Sequence, residues 1–108
     1  MGLTEITDER LRHLVHAQPK TVAMFTASGC ARCERLRPVV ETLAAEAAYA
    51  GIAFVRLDAG QNRVAEHLVA RHGSPFFITY CRGRLVHCDT LHTESQVQGL
   101  LHALLAHA

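Results

Sequence analysis

The sequence has 108 residues, 49% hydrophobic and 19% charged, which predicts one globular domain over residues 1–108. Its formal net charge of +1 gives no electrostatic reason to expect a nucleic-acid partner or an anionic membrane surface. The N-terminus is acidic, and no apolar run approaches the ~20 residues of a membrane span, so we expect a cytoplasmic protein that does not bind membranes.

The first half of the chain predicts alternating strands and helices. A short strand comes first, and Thr7 then caps a helix over residues 8–18. Residues 21–26 are apolar and bounded, which is typical of a strand buried on both faces. Residues 31–50 are strong helix formers, with Pro38 inside the run and Gly51 at its end.

The second half continues this alternation and ends in a hairpin. A strand over residues 52–57 precedes a helix over residues 62–72, whose predicted inner face is Val64, Leu68 and Val69. Strands at 76–81 and 84–88 flank a two-residue Arg82-Gly83 turn. A capping box beginning at Thr93 opens the last helix. Together these elements predict an α/β three-layer sandwich, in which helices cover both faces of a mixed sheet of four or five strands.

Cys30 and Cys33 lie where a predicted strand gives way to a helix. A helix N-terminus stabilises a thiolate through its free N–H groups and its dipole, and the neighbouring Arg32 adds positive charge. Cys33 lies nearly on the same helical face as Cys30, so a disulfide can form with little backbone movement. This setting favours a redox pair over half of a zinc site and over a redox-silent pair.

The chain resembles the thioredoxin family over nearly its whole length. The resemblance rests on the cysteine motif after a buried strand, a proline in the following helix, and a Ser-Pro pair before a terminal hairpin: Cys30, Cys33, Pro38, Ser74 and Pro75. It implies a monomeric thiol-disulfide oxidoreductase that reduces or exchanges disulfides in protein partners. Such a protein receives electrons from a reductase and needs neither a cofactor nor a metal.

The resemblance also assigns roles to individual residues. It makes Cys30 the nucleophile and Cys33 the resolving cysteine. It makes Pro75 a cis proline that shapes the substrate groove, with Ser74 before it pairing with the substrate backbone. The other substrate-binding positions that it implies are Gly29, Ala31, Arg32 and His92.

Two residues depart from the family pattern. Gly29 stands where the family usually has a tryptophan, and Met24 stands where its best-known members have a buried aspartate that helps to deprotonate the resolving cysteine. Asp58 or Glu34 could replace that base only if its side chain reached Cys33. The alternative is therefore a thioredoxin-fold binding or assembly module whose cysteine pair is regulatory or redox-silent.

The other two cysteines lie in the predicted hairpin. A regular hairpin places Cys88 opposite Phe77, which puts it about 13 Å from Cys81, too far for a disulfide. Both are therefore expected to be separate thiols. Cys81, beside an exposed turn, is a candidate for an intermolecular bond.

Overall fold

Strands and helices alternate in the predicted order. The computed structural model describes residues 2–107. Its elements are β1 (Leu3–Glu5), α1 (Asp8–Ala17), β2 (Lys20–Thr26), α2 (Ala31–Ala44), a 3-10 turn (Ala47–Tyr49), β3 (Ala53–Asp58), α3 (Arg63–His72), β4 (Phe76–Cys81), β5 (Arg84–Thr90) and α4 (Glu94–Ala106).

Within residues 2–107, the strands form one five-stranded sheet in the order β1-β3-β2-β4-β5. β1 and β2 lie parallel to β3 on either side of it, whereas β4 is antiparallel to β2, and β5 to β4. The predicted mixed sheet with an antiparallel hairpin at its edge is confirmed. Because β2 is the central strand, the loop that follows Thr26 lies at the middle of one end of the sheet.

Successive side chains of β2 pack on opposite faces of the sheet. Met24 belongs to a cluster with buried residues of α2 and α4, and Phe25 to a second cluster with residues of α1 and α3. Burying each of these side chains contributes about 1.5–3 kcal/mol. The predicted three-layer α/β sandwich is therefore confirmed.

The second helix is shorter than its composition predicts. α2 ends at Ala44, and the chain forms a 3-10 turn before β3 instead of continuing as a helix to residue 50. Tyr49 in this turn is 3% exposed, and its hydroxyl lies 3.0 Å from Nε2 of His102 on α4. The two rings also stack. Seating this large aromatic side chain in the core outweighs the helix propensity of the alanine-rich segment.

The inner face of α3 also differs from the prediction. Val64 is 49% exposed, whereas Ala65 is completely buried and Leu68 and Val69 are partly buried. Positions 65, 68 and 69 follow the i, i+3, i+4 spacing of one helical face, and Val64 lies to one side of it. The prediction that Val64 is buried is wrong, because the helix is rotated toward Ala65.

The N-termini of α1 and α3 cap one another. The Asn62 side-chain oxygen accepts a hydrogen bond from the Asp8 backbone N–H at 2.9 Å, and the Asp8 carboxylate accepts one from the Val64 N–H, also at 2.9 Å. The Asn62 amide group donates to the Asp58 carbonyl at the end of β3. These bonds satisfy N–H groups that a helix cannot satisfy itself, and they hold both helices to the sheet.

The tight turn of the hairpin is formed by Arg82 and Gly83. Both have positive φ angles, 52° and 85°, as a two-residue turn between twisted antiparallel strands requires. The His16 imidazole on α1 lies so close to Gly83 that a side chain there would clash with it. Cys81 beside the turn is only 6% exposed, so the expectation that its thiol is accessible for an intermolecular bond is wrong.

The hairpin register shifts by one residue between Thr79 and Tyr80. A β-bulge of this kind sets one extra residue of β5 against its partner strand. Cys88 therefore lies opposite Ile78, and the predicted pairing with Phe77 is wrong. The Cys88 side chain is exposed.

Candidate functional site

Cys30 is the N-cap residue of α2. Its Sγ accepts a hydrogen bond from the Cys33 backbone N–H at 3.1 Å, so the sulfur occupies the place that a serine or aspartate oxygen takes at other helix starts. Cys30 is partly exposed, whereas Cys33 is only 3% exposed. Of the two sulfurs, that of Cys30 is therefore the one open to a large reactant.

The two cysteines form a disulfide in this structure. Their Cα atoms are 5.2 Å apart, within the range that disulfides require. Gly29, just before the pair, has a φ of 69°, and no atom lies within 4 Å of the place where its Cβ would stand. The left-handed backbone here favours glycine, which gives a local reason for Gly29 at the position where a tryptophan was expected.

A second segment reaches the same sulfur from the start of β4. The Ser74 hydroxyl donates a hydrogen bond to Cys30 Sγ at 3.1 Å, and the Ser74 carbonyl oxygen lies 3.7 Å from that atom. The peptide bond between Ser74 and Pro75 is cis. Although the sequence singled out Ser74 for its backbone, its hydroxyl is the group that contacts the cysteine. The feature of the sequence that indicates this contact is the hydroxyl residue directly before Pro75.

A third segment, between β5 and α4, completes the site. The Leu91 N–H donates to the Pro75 carbonyl at 3.3 Å, and the His92 N–H donates to the Gln96 side-chain oxygen at 2.7 Å. The His92 ring nitrogen Nε2 lies 3.2 Å from a terminal nitrogen, Nη1, of Arg32. The cysteine loop, the Ser-Pro loop and this segment are thus linked in a closed ring of contacts.

Most of the predicted site residues therefore lie together. Cys30, Cys33, Arg32, Ser74, Pro75 and His92 are joined through these contacts, and Gly29 and Ala31 adjoin Cys30 along the chain. Sequence reasoning missed the anchoring residues Leu91 and Gln96. The sequence indicates Gln96 only as part of the capping box, which the structure confirms.

Within residues 2–107, no hydrogen bond or ion pair joins Cys33 to a carboxylate. Met24 is 1% exposed and lies between Arg56 on β3 and Phe77 on β4. Among residues 2–107, neither the Asp58 nor the Glu34 carboxylate makes a hydrogen bond or ion pair with Cys33. The structure therefore shows no bond by which either carboxylate would take the place of the missing aspartate.

The guanidinium of Arg56 makes its polar contacts with Thr26 and Glu5. Its Nε donates to the Thr26 hydroxyl at 3.0 Å, and its Nη1 lies 3.1 Å from the Glu5 carboxylate. The other ion pair found within residues 2–107 joins Arg37 to Glu41 along α2. Arg32, between the two cysteines, is exposed and takes part in neither of these ion pairs.

Residues 2–107 contain no group of three or more histidine, cysteine, aspartate or glutamate side chains placed to hold a metal ion. None of the helices in this range is long and apolar enough to cross a membrane.

A central strand leading into a helix capped by a disulfide-bonded cysteine, with a cis proline beside it, defines a thioredoxin-type fold and site. The family model named Thioredoxin matches residues 2–104 of the sequence. The chain belongs to the thioredoxin family. Among curated proteins, no sequence matches it.

Solved thioredoxin structures superpose on the chain over almost its whole length. A thioredoxin from Malassezia sympodialis has a TM-score of 0.84 at 18% identity, covering 98% of this chain and 96% of the other. A mutant thioredoxin from Halobacterium salinarum has a TM-score of 0.82 at 21% identity, covering 99% of this chain and 94% of the other. Thioredoxin from Fasciola hepatica has a TM-score of 0.81 at 23% identity, covering 96% of this chain and 99% of the other. At these identities the likeness establishes the fold alone.

Proposed function

We propose that this protein is a thiol-disulfide oxidoreductase that reduces or exchanges disulfides in protein partners through Cys30 and Cys33. The observation that carries the proposal is the position of the Cys30 sulfur. It accepts hydrogen bonds from both the Cys33 N–H and the Ser74 hydroxyl while it is bonded to a second, buried cysteine. The same donors stabilise a thiolate when the disulfide is reduced.

In the first step, the Cys30 thiolate attacks one sulfur of a partner disulfide. A mixed disulfide forms between Cys30 and that sulfur, while the second partner sulfur leaves as a thiolate. Cys30 is the more exposed cysteine, and its position at the N-terminus of α2 supports this order. The Ser74–Pro75 edge next to it is the surface along which the partner backbone would lie.

In the second step, Cys33 attacks Cys30 Sγ. The Cys30–Cys33 disulfide forms, and the first partner sulfur is released, so two electrons have passed from the dithiol to the partner disulfide. Because no carboxylate in residues 2–107 is hydrogen-bonded or ion-paired to Cys33, we assign its proton to the partner thiolate released in the first step. That thiolate is a base formed next to Cys33. A dithiol reductase must then reduce the Cys30–Cys33 disulfide to complete the cycle.

We further propose that the protein is monomeric and cytoplasmic.

An insulin-reduction assay tests this function. The wild-type protein, supplied with a dithiol reductant, is expected to precipitate the insulin B chain faster than the reductant alone. Cys30→Ser should abolish the acceleration, and Cys33→Ser should trap mixed disulfides. If the wild type gave no acceleration and its cysteine pair did not cycle between dithiol and disulfide, the proposal would be wrong.

The second candidate is a binding or assembly module of the same fold. It is favoured by Met24, which occupies the position where a buried proton acceptor was expected, and by the missing tryptophan at Gly29. In that case a Cys30→Ser, Cys33→Ser double variant would bind its partner as well as the wild type does. An oxidoreductase loses its covalent intermediates in the same variant, so trapping experiments separate the two candidates.

A further inference from the structure

The guanidinium of Arg32 contacts the imidazole of His92 at the edge of the site. Its Nη1 lies 3.2 Å from Nε2 of His92, and both side chains are exposed. Arginine can only donate hydrogen bonds, so Nε2 of His92 is the acceptor in this contact. The contact therefore orients the guanidinium without neutralising it.

The position of His92 is itself fixed. Its backbone N–H is bonded to the Gln96 side chain, which also accepts from the Thr93 N–H in the capping box of α4. The preceding residue, Leu91, is buried and bonded to the Pro75 carbonyl. The residue that Arg32 contacts therefore has its backbone anchored next to Pro75.

No negative charge in the described part of the chain balances Arg32. The ion pairs found in residues 2–107 involve Arg37 and Arg56 instead. Glu34 is the nearest acid along α2, but residues two apart on a helix point to different sides. A guanidinium with one of its five N–H groups bonded to His92 keeps others free to bind an oxyanion, and its planar fork matches a carboxylate.

We infer that Arg32 and His92 form a recognition site for a carboxylate, so that the protein prefers substrates with an acidic residue next to the disulfide cysteine. The inference rests on the proposed function and names the class of substrate that this site takes. Arg32 contacts the substrate carboxylate, and His92 acts as a positioning residue that holds the guanidinium at the groove. Because the site is exposed, the preference is expected to be about two- to fivefold and to weaken as salt is added.

The test uses three synthetic peptides with one internal disulfide each, which are identical except for Glu, Gln or Lys next to one cysteine. The pre-reduced protein is mixed with each peptide, and the single-turnover rate of disulfide reduction is measured. The wild type is expected to reduce the Glu peptide faster than the Gln peptide, and the Lys peptide most slowly. The ratio of rates is the readout, since any effect of Arg32 on the reactivity of Cys30 applies equally to all three peptides.

Variants separate recognition from general charge. Arg32→Gln should bring the Glu-to-Gln rate ratio close to one while the Gln peptide is still reduced. Arg12→Gln, an equal change of charge on the exposed side of α1, should keep the wild-type ratio. His92→Ala should lower the ratio, and His92→Gln, which retains a hydrogen-bond acceptor, should restore part of it.

The outcomes distinguish this inference from the function on which it rests. Equal wild-type rates on all three peptides, or an unchanged ratio in Arg32→Gln, overturn the carboxylate site and leave the oxidoreductase function standing. A wild-type protein that reduces none of the peptides overturns the oxidoreductase function and the inference with it.

Discussion

The Ser74 hydroxyl donates a hydrogen bond to the Cys30 sulfur over 3.1 Å, although the two residues are 44 positions apart in the sequence. The cis peptide bond between Ser74 and Pro75 and the N-cap position of Cys30 bring them together at one end of the sheet. The sulfur thereby gains a donor from outside its own helix. The hydrogen bond from this donor becomes stronger as the sulfur gains negative charge. It therefore favours the reduced state of the cysteine pair.

Removing this hydroxyl should make the reduced state less favourable. In Ser74→Ala, loss of a hydrogen bond to a charged sulfur costs about 1.5 kcal/mol, so the pH profile of Cys30 alkylation should move to higher pH. The reduction potential should become more negative by about 30 mV. Iodoacetamide kinetics and equilibration with a dithiol redox buffer measure the two effects. Ser74→Thr is the matched control, because it keeps the hydroxyl, and equal profiles for all three proteins would contradict the role of Ser74.

The mutual capping of α1 and α3 should contribute measurably to stability. Asp8→Ala and Asn62→Ala each remove an acceptor for a helix N-terminal N–H, and each should lower the free energy of unfolding by about 1 kcal/mol. Urea denaturation measures these losses. Glu9→Ala, at an exposed residue in the same first turn of α1, serves as the control and should change stability little.

The double variant tests whether the two caps act as one unit. Residues that share a hydrogen-bonded network give non-additive effects, so the loss in Asp8→Ala, Asn62→Ala should be smaller than the sum of the single losses. Strict additivity would mean that the two side chains stabilise their helices independently.

Tyr80 should reduce stability at alkaline pH. Burial raises the pKa of Tyr80 above its usual value, and negative charge on Cys88 raises it further. Below pH ~10, tyrosine keeps its proton in both the folded and the unfolded chain, and its contribution to stability is constant. Above that pH the unfolded chain loses the proton first, so stability falls as the pH rises toward the higher pKa of the folded protein.

Urea unfolding between pH 8 and 11 checks this effect. In Tyr80→Phe the alkaline loss of stability should become smaller, and in Cys88→Ser it should be reduced to a lesser degree. A Tyr80→Phe variant whose stability declines with pH as steeply as the wild type would show that Tyr80 does not cause the loss.

The elements that the sequence predicted well are those whose determinants are local. The capping box at Thr93 marks where α4 begins, and the Arg82-Gly83 pair marks the hairpin turn, because neighbouring residues decide both. The end of α2 was missed because Tyr49 is drawn into the core by α4, whose contacting residue lies far along the chain. The register of β5 was missed because a bulge leaves no mark in the hydrophobic pattern.

The features of the candidate site also fall into those that local sequence motifs predict and those that depend on distant contacts. The positions of Cys30 at the start of α2 and of Ser74 before Pro75 follow from motifs in the sequence, and the family resemblance brings the two segments together. The contact of Arg32 with His92 depends on how Gln96 and Pro75 hold the segment between β5 and α4. The hydrophobic pattern of the sequence does not predict that arrangement. Polar contacts between loops depend on side-chain geometry that only the folded chain provides.

Two glycines with positive φ angles should respond differently to the same substitution. Gly29→Ala meets no atom within 4 Å and should lower stability by only the cost of a left-handed backbone, about 1 kcal/mol. Gly83→Ala carries the same backbone cost, and its methyl group must also displace the His16 ring, so its loss should be larger. Adding His16→Ala to Gly83→Ala removes the clash but not the backbone strain. The loss caused by Gly83→Ala should therefore be smaller in the His16→Ala background than in the wild type, as measured by urea denaturation. An equal loss in both backgrounds would mean that the ring moves aside without cost and that the turn conformation alone requires glycine at this position.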